Sequence, residues 1–128
     1  MSFIADLAEY IETEGSSLGT RGTDLFMGKQ PHNVADCVAI YEQVGEPQEK
    51  DVPLYNIGVQ ILVRNSVYAT GEAKMKAVYD FLHQKANIEL VSGQTYCYYV
   101  LAETSWVYLG TDEQRRHEWS LNLNLKVR

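Results

Sequence analysis

Asp112, Glu113, Arg115, Arg116 and His117 bring acids, guanidinium groups and an imidazole together within six residues. A carboxylate beside a histidine is the pairing that acid–base catalysis uses. The run also lies between two strand-like stretches, where a charged, solvated turn is normal, and that is the reading its position favours. His32 follows Pro31 in a loop-like stretch, and His83 stands near the end of a helical pattern, where a cation complements the helix dipole. The three histidines are far apart in sequence. Cys37 and Cys97 have no metal-ligand spacing to each other or to a histidine. Both sit in apolar strand-like runs and read as buried free thiols. There is no nucleophile elbow, no His-Glu-x-x-His, no Cys-x-x-Cys and no calcium-loop spacing. The Gly15–Gly22 connection is glycine-rich, but it lacks the Lys-Ser/Thr of a phosphate loop and no strand precedes it. The residues therefore imply no cofactor and no metal. The chemistry-bearing alternative is a small α+β ligand-binding domain or enzyme with its site near Asp112, Glu113 and His117.

The elements that would position such a site are centred on residues 55–86. Tyr55, Ile57, Val59, Ile61 and Val63 alternate with Asn56, Gly58, Gln60 and Arg64, with Leu62 the one apolar exception. A period of two predicts a strand with one buried face. Met75, Val78, Tyr79, Leu82 and Ala86 then recur at helical spacing, so a helix is predicted over about residues 70–87, capped by Thr70 and closed by His83 and Lys85. This helix is expected to cover the strand's apolar face. An amphipathic helix is predicted at residues 3–14, capped by Ser2 and stopped by Gly15. Its last turn carries Glu12 and Glu14, which the dipole disfavours unless something neutralises them. Short strands follow at residues 24–27 and 34–44, the second with two largely apolar faces.

Beyond the second helix come strands at residues 88–91 and 95–103, continuing through 105–109, and a long final strand. In that last strand His117, Trp119, Leu121, Leu123, Leu125 and Val127 alternate with Glu118, Ser120, Asn122, Asn124, Lys126 and Arg128. In the 95–103 strand, Tyr96, Tyr98, Val100 and Ala102 should share one face, and Cys97, Tyr99 and Leu101 the other. The order is thus α-β-β-β-α-β-β-β, with three or four strands in the last group. Strands grouped between helices predict an α+β fold with a mainly antiparallel sheet and two helices packed on it. At 128 residues a single domain with a substantial core is expected.

Composition narrows the function further. The chain is 45% hydrophobic and 22% charged, with a net charge of −6, which argues against general nucleic-acid binding. No apolar run approaches the roughly 20 residues of a membrane helix. The start, Met1-Ser2-Phe3-Ile4-Ala5-Asp6, does not read as a secretory signal. Nine tyrosines suit both half-buried strands and protein interfaces. Two charged connections are long enough to project: one with Glu46, Glu49, Lys50 and Asp51, the other with Asp112, Glu113, Arg115 and Arg116. Asn122, Asn124 and Lys126 add a polar strand face, and asparagine is disfavoured in strands unless that face meets something specific. These eleven residues are the candidates for contact with a subunit or partner.

The chain resembles a family at two places. Asn56-Ile-Gly-Val-Gln-Ile-Leu-Val-Arg-Asn65 with Ala73-Lys-Met-Lys-Ala-Val-Tyr-Asp-Phe-Leu82 looks like the central strand and helix of phage tail-terminator or minor capsid proteins. Leu109 to Val127 resembles their ending, a Gly-x-Asp-x-x-x-Arg turn leading into a final strand, with Gly110, Asp112, Arg116, Ser120 and Asn122 at the matching positions. The resemblance implies a structural virion protein, assembled in the host cytoplasm and placed at the head-proximal end of the tail. It implies a ring of copies of the chain, a hexamer, that stops tail-tube polymerisation. It implies tail tube protein on one side of the ring and a head connector or head-completion protein on the other. DNA would pass through the lumen without sequence-specific binding, and no membrane is involved.

Overall fold

A computed structural model of the chain describes residues 3–15, 18–43, 55–83, 85–91 and 95–127. Their order is α1 (Phe3–Glu14), β1 (Leu25–Met27), β2 (Cys37–Gln43), β3 (Tyr55–Asn65), α2 (Tyr68–Leu82), β4 (Ala86–Val91), β5 (Thr95–Ala102), β6 (Val107–Thr111) and β7 (His117–Val127). The α+β class and the grouping of strands around two helices are as the sequence predicts, with four strands after α2. The predicted Ser2 cap and the Glu46–Asp51 connection lie outside the described residues.

The strands form one sheet in the order β1-β2-β3-β7-β5-β4, with β6 paired to β7 off that path. Among the described strands only β1 and β2 run parallel; the other pairs are antiparallel. β3 and β7 pair along their whole length, from Tyr55 opposite Val127 to Asn65 opposite His117. This register sets Val59, Ile61 and Val63 opposite Leu123, Leu121 and Trp119, so both apolar faces coincide. α2 packs over the central strands β3, β7 and β5, and Met75, Val78 and Leu82 are its buried stripe. α1 touches β4 at one end of the sheet and β1 and β2 at the other, which requires the sheet to curl round the helical layer. Leu7, Ala8 and Ile11 join the same core.

The predicted bounds of α2 need correction. The helix begins at Tyr68, not Thr70, and its N-cap is Val67, which makes no side-chain cap. Asn65 does that work from further back: its Oδ1 accepts a hydrogen bond from the Val67 N–H at 2.9 Å. The helix ends at Leu82 with an extended His83. Lys85 and Asn87 therefore lie outside it, because β4 claims the chain from Ala86. His83 instead accepts the Ala102 N–H through Nδ1 and stacks on Tyr79.

The predicted face alternation of β5 also fails. Cys97 and Val100 are both fully buried, although three residues apart. The register against β7 shifts between Cys97 and Tyr99, so a bulge inserts one residue and turns the following side chains over. Tyr99 and Leu101 consequently face solvent. The glycine-rich Gly15–Gly22 connection is tied down where it is described. Leu18 is in the core, and the Thr20 carbonyl accepts from the N–H groups of Thr23, Asp24 and Leu25. It carries Arg21 back to α1, where Arg21 Nε and N–H bond Glu12 at 3.0 and 2.8 Å. The acid that the helix dipole disfavours is thereby neutralised from within the chain.

Among the described glycines, Gly71 leaves the least room for a side chain. A Cβ there would stand 2.2 Å from Trp119 Cζ3 and 2.5 Å from its Cη2. Trp119 is 1% exposed, so its ring has nowhere to retreat. Overpacking costs about 1–3 kcal/mol, which outweighs the ~1 kcal/mol that alanine offers over glycine in a helix. Gly71→Ala is therefore expected to lower the thermal midpoint despite raising helix propensity. In a Trp119→Leu background the same change should cost less, a non-additivity that thermal denaturation of the four variants measures.

Candidate functional site

The 112–116 turn joins β6 to β7 and is built on one carboxylate. Asp112 Oδ1 accepts the N–H groups of Gln114 and Arg116, both at 2.9 Å. Its Oδ2 pairs with Arg116 Nε at 2.7 Å. Backbone bonds from Asp112 N–H to the Arg116 carbonyl and from Arg115 N–H to the Asp112 carbonyl, each 3.0 Å, close the loop. Arg115 takes a positive φ of 62° at the apex and Gly110 one of 109° at the entry, the conformations an aspartate-based reversal demands. Burial acts to raise the Asp112 carboxyl. The hydrogen bonds from the Arg116 backbone, the Arg116 side chain and the Gln114 backbone, with the guanidinium charge, outweigh it and hold the group below its usual range.

Arg116 is 6% exposed. It reaches across to the 28–36 segment, donating from Nη1 to the His32 carbonyl at 2.7 Å. Gln114 Nε2 meets His32 Nε2 at 2.6 Å. Arg64 on β3 reinforces the seam. It is 5% exposed, and its Nη2 donates to the carbonyls of Pro31 and of Val34, the latter at 2.6 Å. Glu118 stands directly across the β3–β7 ladder from it. Together these residues line a polar cleft of about 430 Å³. Burial pushes the Cys37 thiol up even though Arg64 and Arg116 both pull it down, so this cysteine stays protonated and inert.

Next to the turn lies an aromatic cluster. Tyr68 from the first turn of α2 approaches Tyr108, His117 and Trp119 at centroid distances of 5.2, 5.4 and 5.4 Å. Tyr108 Oη and His117 Nδ1 are hydrogen-bonded at 2.8 Å. The acid–base reading needs His117 to work with Asp112 or Glu113, and the geometry assigns these groups elsewhere. His117 is bonded to Tyr108, Asp112 to Arg116, and Glu113 is exposed. Arg116 donates to Asp112 and the His32 carbonyl, and Arg64 Nη2 to the Pro31 and Val34 carbonyls, while Arg64 Nε is buried without a partner, so the cleft walls are braced by their own chain. Among the described residues no group of three or more His, Cys, Asp or Glu is arranged to hold a metal. No described helix is long and apolar enough to cross a membrane.

The candidate contact residues fall into three groups. Glu46, Glu49, Lys50 and Asp51 lie outside the described residues. Asp112 and Arg116 are engaged inside the turn, leaving Glu113 and Arg115 exposed on it. Asn122, Asn124 and Lys126 lie on the sheet face turned away from the helices, opposite Gln60, Gly58 and Asn56. Asn124 is exposed, while Asn122 is half-buried with its Oδ1 enclosed and unbonded. Gln60 Nε2 donates to Ser120 Oγ at 3.0 Å on the same face. Sequence reasoning missed the exposed apolar side chains of β6, Val107, Tyr108 and Leu109. The three adjacent apolar residues were the available signal, but they read as the continuation of the 95–103 strand.

A family model described as bacteriophage tail terminator protein matches residues 14–128. Among solved structures, a chain of the virion of a native gene transfer agent particle superimposes with a TM-score of 0.69 at 17% identity. The alignment covers 99% of this chain and 98% of that one, and at this identity it shows a shared fold. Among curated proteins no sequence matches.

Because the Asp112 carboxyl is held low in the folded state, it favours folding most where it is ionised. That contribution is whole above about pH 4, the unfolded-state value, shrinks as the pH falls below it, and is gone under the folded-state pKa. Asp112→Asn should therefore lower the thermal midpoint at pH 7 and lose most of that deficit near pH 2. Melting curves of both proteins across pH 2–7 check this.

Proposed function

The chain belongs to the bacteriophage tail terminator family, structural proteins of the virion tail, and on that premise we propose that it caps the tail tube as a closed ring. The ring, a hexamer of this chain, sits at the head-proximal end of the tube and stops its polymerisation. One face meets tail tube protein and the other a head connector or head-completion protein. The observation that carries this reading is the family match, which spans α2, every described strand and the final turn. The site geometry is consistent with it. The turn, the cleft and the two buried arginines serve internal bracing, and the side chains left on the surface are of the kind that make protein contacts.

A ring of identical copies needs a heterologous contact that closes after a fixed rotation. Its lumen must let DNA pass without holding it. An acidic chain suits this, since phosphate contacts require cations and the net charge here is −6. Glu113, exposed beside the Asp112–Arg116 pair, is available for such a wall, whereas Asp112 is committed to the turn.

Light scattering and electron microscopy of the purified chain, alone and mixed with tail tube protein, test the proposal. Six-fold rings, found at one end of tubes of uniform length, are expected. Tubes that keep growing in the presence of the chain, with no ring at either end, would refute it.

A further inference from the structure

We infer that the outer edge of β6 is where the neighbouring copy of this chain docks, by adding a strand to the sheet. β6 (Val107–Thr111) pairs with β7 on one side, and no described strand lies on its other side. Its three adjacent side chains Val107, Tyr108 and Leu109 are 54%, 41% and 55% exposed. An edge of this kind, apolar and uncharged, is what folded proteins avoid leaving open. The two other sheet ends are treated differently. β1 has three residues, and β4 carries Glu89, a positive φ at Asn87 and a register shift. Both also have α1 packed against them.

The β6 patch has apolar groups on both sides of the strand. Val107 stands opposite Ser120, on the sheet face away from the helices, and Tyr108 opposite Trp119, on the helix side. On that side the patch continues into Tyr68, 5.2 Å from Tyr108, and Val67, itself 54% exposed. A strand laid along β6 would gain main-chain hydrogen bonds and find an apolar surface for its side chains on either side.

Charge identifies the occupant as a second copy. Each chain carries −6, so copies repel wherever their acidic surfaces meet. Residues 104–111, Thr-Ser-Trp-Val-Tyr-Leu-Gly-Thr, hold no charge, and acids flank them only at Glu103 and Asp112. Like-charged partners meet at least cost through such a neutral segment, whereas a partner chosen by opposite charge would be met by a charged one. For a ring to close, the edge must meet a different surface of the neighbour, so that the contact is heterologous.

This inference rests on the ring reading, and the experiment separates the two. Val107→Lys with Leu109→Lys places cations on exposed positions, so circular dichroism and the thermal midpoint should stay near wild type. Mass is measured by light scattering, with and without tail tube protein, and amide exchange of β6 is followed in the wild-type assembly. The expected result is loss of the oligomer to single-chain mass in the variant, with slowed β6 exchange in the wild-type oligomer. Should the variant misfold, the exchange measurement alone decides: unslowed β6 amides overturn the inference. If the variant forms the same ring as wild type, the inference fails and the ring reading survives. The inference also fails if the variant ring forms but no longer binds tubes, since the edge then belongs to the tube protein. A wild-type oligomer of another size that the variant abolishes supports the inference and removes the ring. A wild type that stays a single chain under both conditions overturns both.

Discussion

The pairing of β3 with β7 is the constraint on which the rest of this structure depends. Eleven residues of each strand meet in unbroken antiparallel register. Because side chains alternate with a period of two, that register fixes which face of the whole sheet is apolar. β2 then extends the same face through Val38 and Ile40, and β5 through Val100. Both helices follow, since this is the face that can bury their stripes. A slip of one residue would set Trp119 and the leucines of β7 against solvent and leave α1 and α2 with nothing to cover.

From that ladder, one residue connects the core to the surface. Trp119 is enclosed under Gly71 of α2 on one side and touches Tyr68, Tyr108 and His117 on the other. The absence of a side chain at position 71 is what lets α2 approach closely enough to seal the ring. The same indole supports Tyr108, hence β6. The exposed edge of β6 is therefore mounted on the close Gly71–Trp119 contact. A rigid mount matters for assembly, because a preorganised strand loses less conformational freedom when a partner pairs with it.

The second brace is electrostatic. Asp112 closes the 112–116 turn, Arg116 ties that turn to the 28–36 segment, and Arg64 ties the same segment to β3. Each guanidinium is nearly buried, yet its charge is met by carbonyl dipoles and, for Arg116, by a carboxylate. That arrangement keeps the desolvation cost of a buried cation tolerable. It also engages the residue types that the sequence offered for acid–base chemistry. Its acid is held ionised by a permanent cation, and its imidazole belongs to an aromatic cluster.

The α+β class, α1 at residues 3–14, the centre of α2 and the strands of the β3–β7 ladder were legible in the sequence, because a face buried over many residues imposes its period on composition. The Gly-x-Asp-x-x-x-Arg turn was legible as a turn, and as a family likeness, since aspartate and glycine at those spacings serve the local backbone. What the sequence could not specify depended on contacts between distant segments. Asn65 rather than Thr70 prepares the start of α2, because β3 delivers it there. The bulge at Tyr98 overrides an alternation that reads cleanly residue by residue. Arg21 neutralises Glu12, and Arg64 and Arg116 converge on the 28–36 segment, only once the sheet has formed. The apolar run at residues 107–109 looks the same in sequence whether buried or bare. Only the strand order, which sets β6 beside β7 with no described strand beyond it, decides that it faces outward.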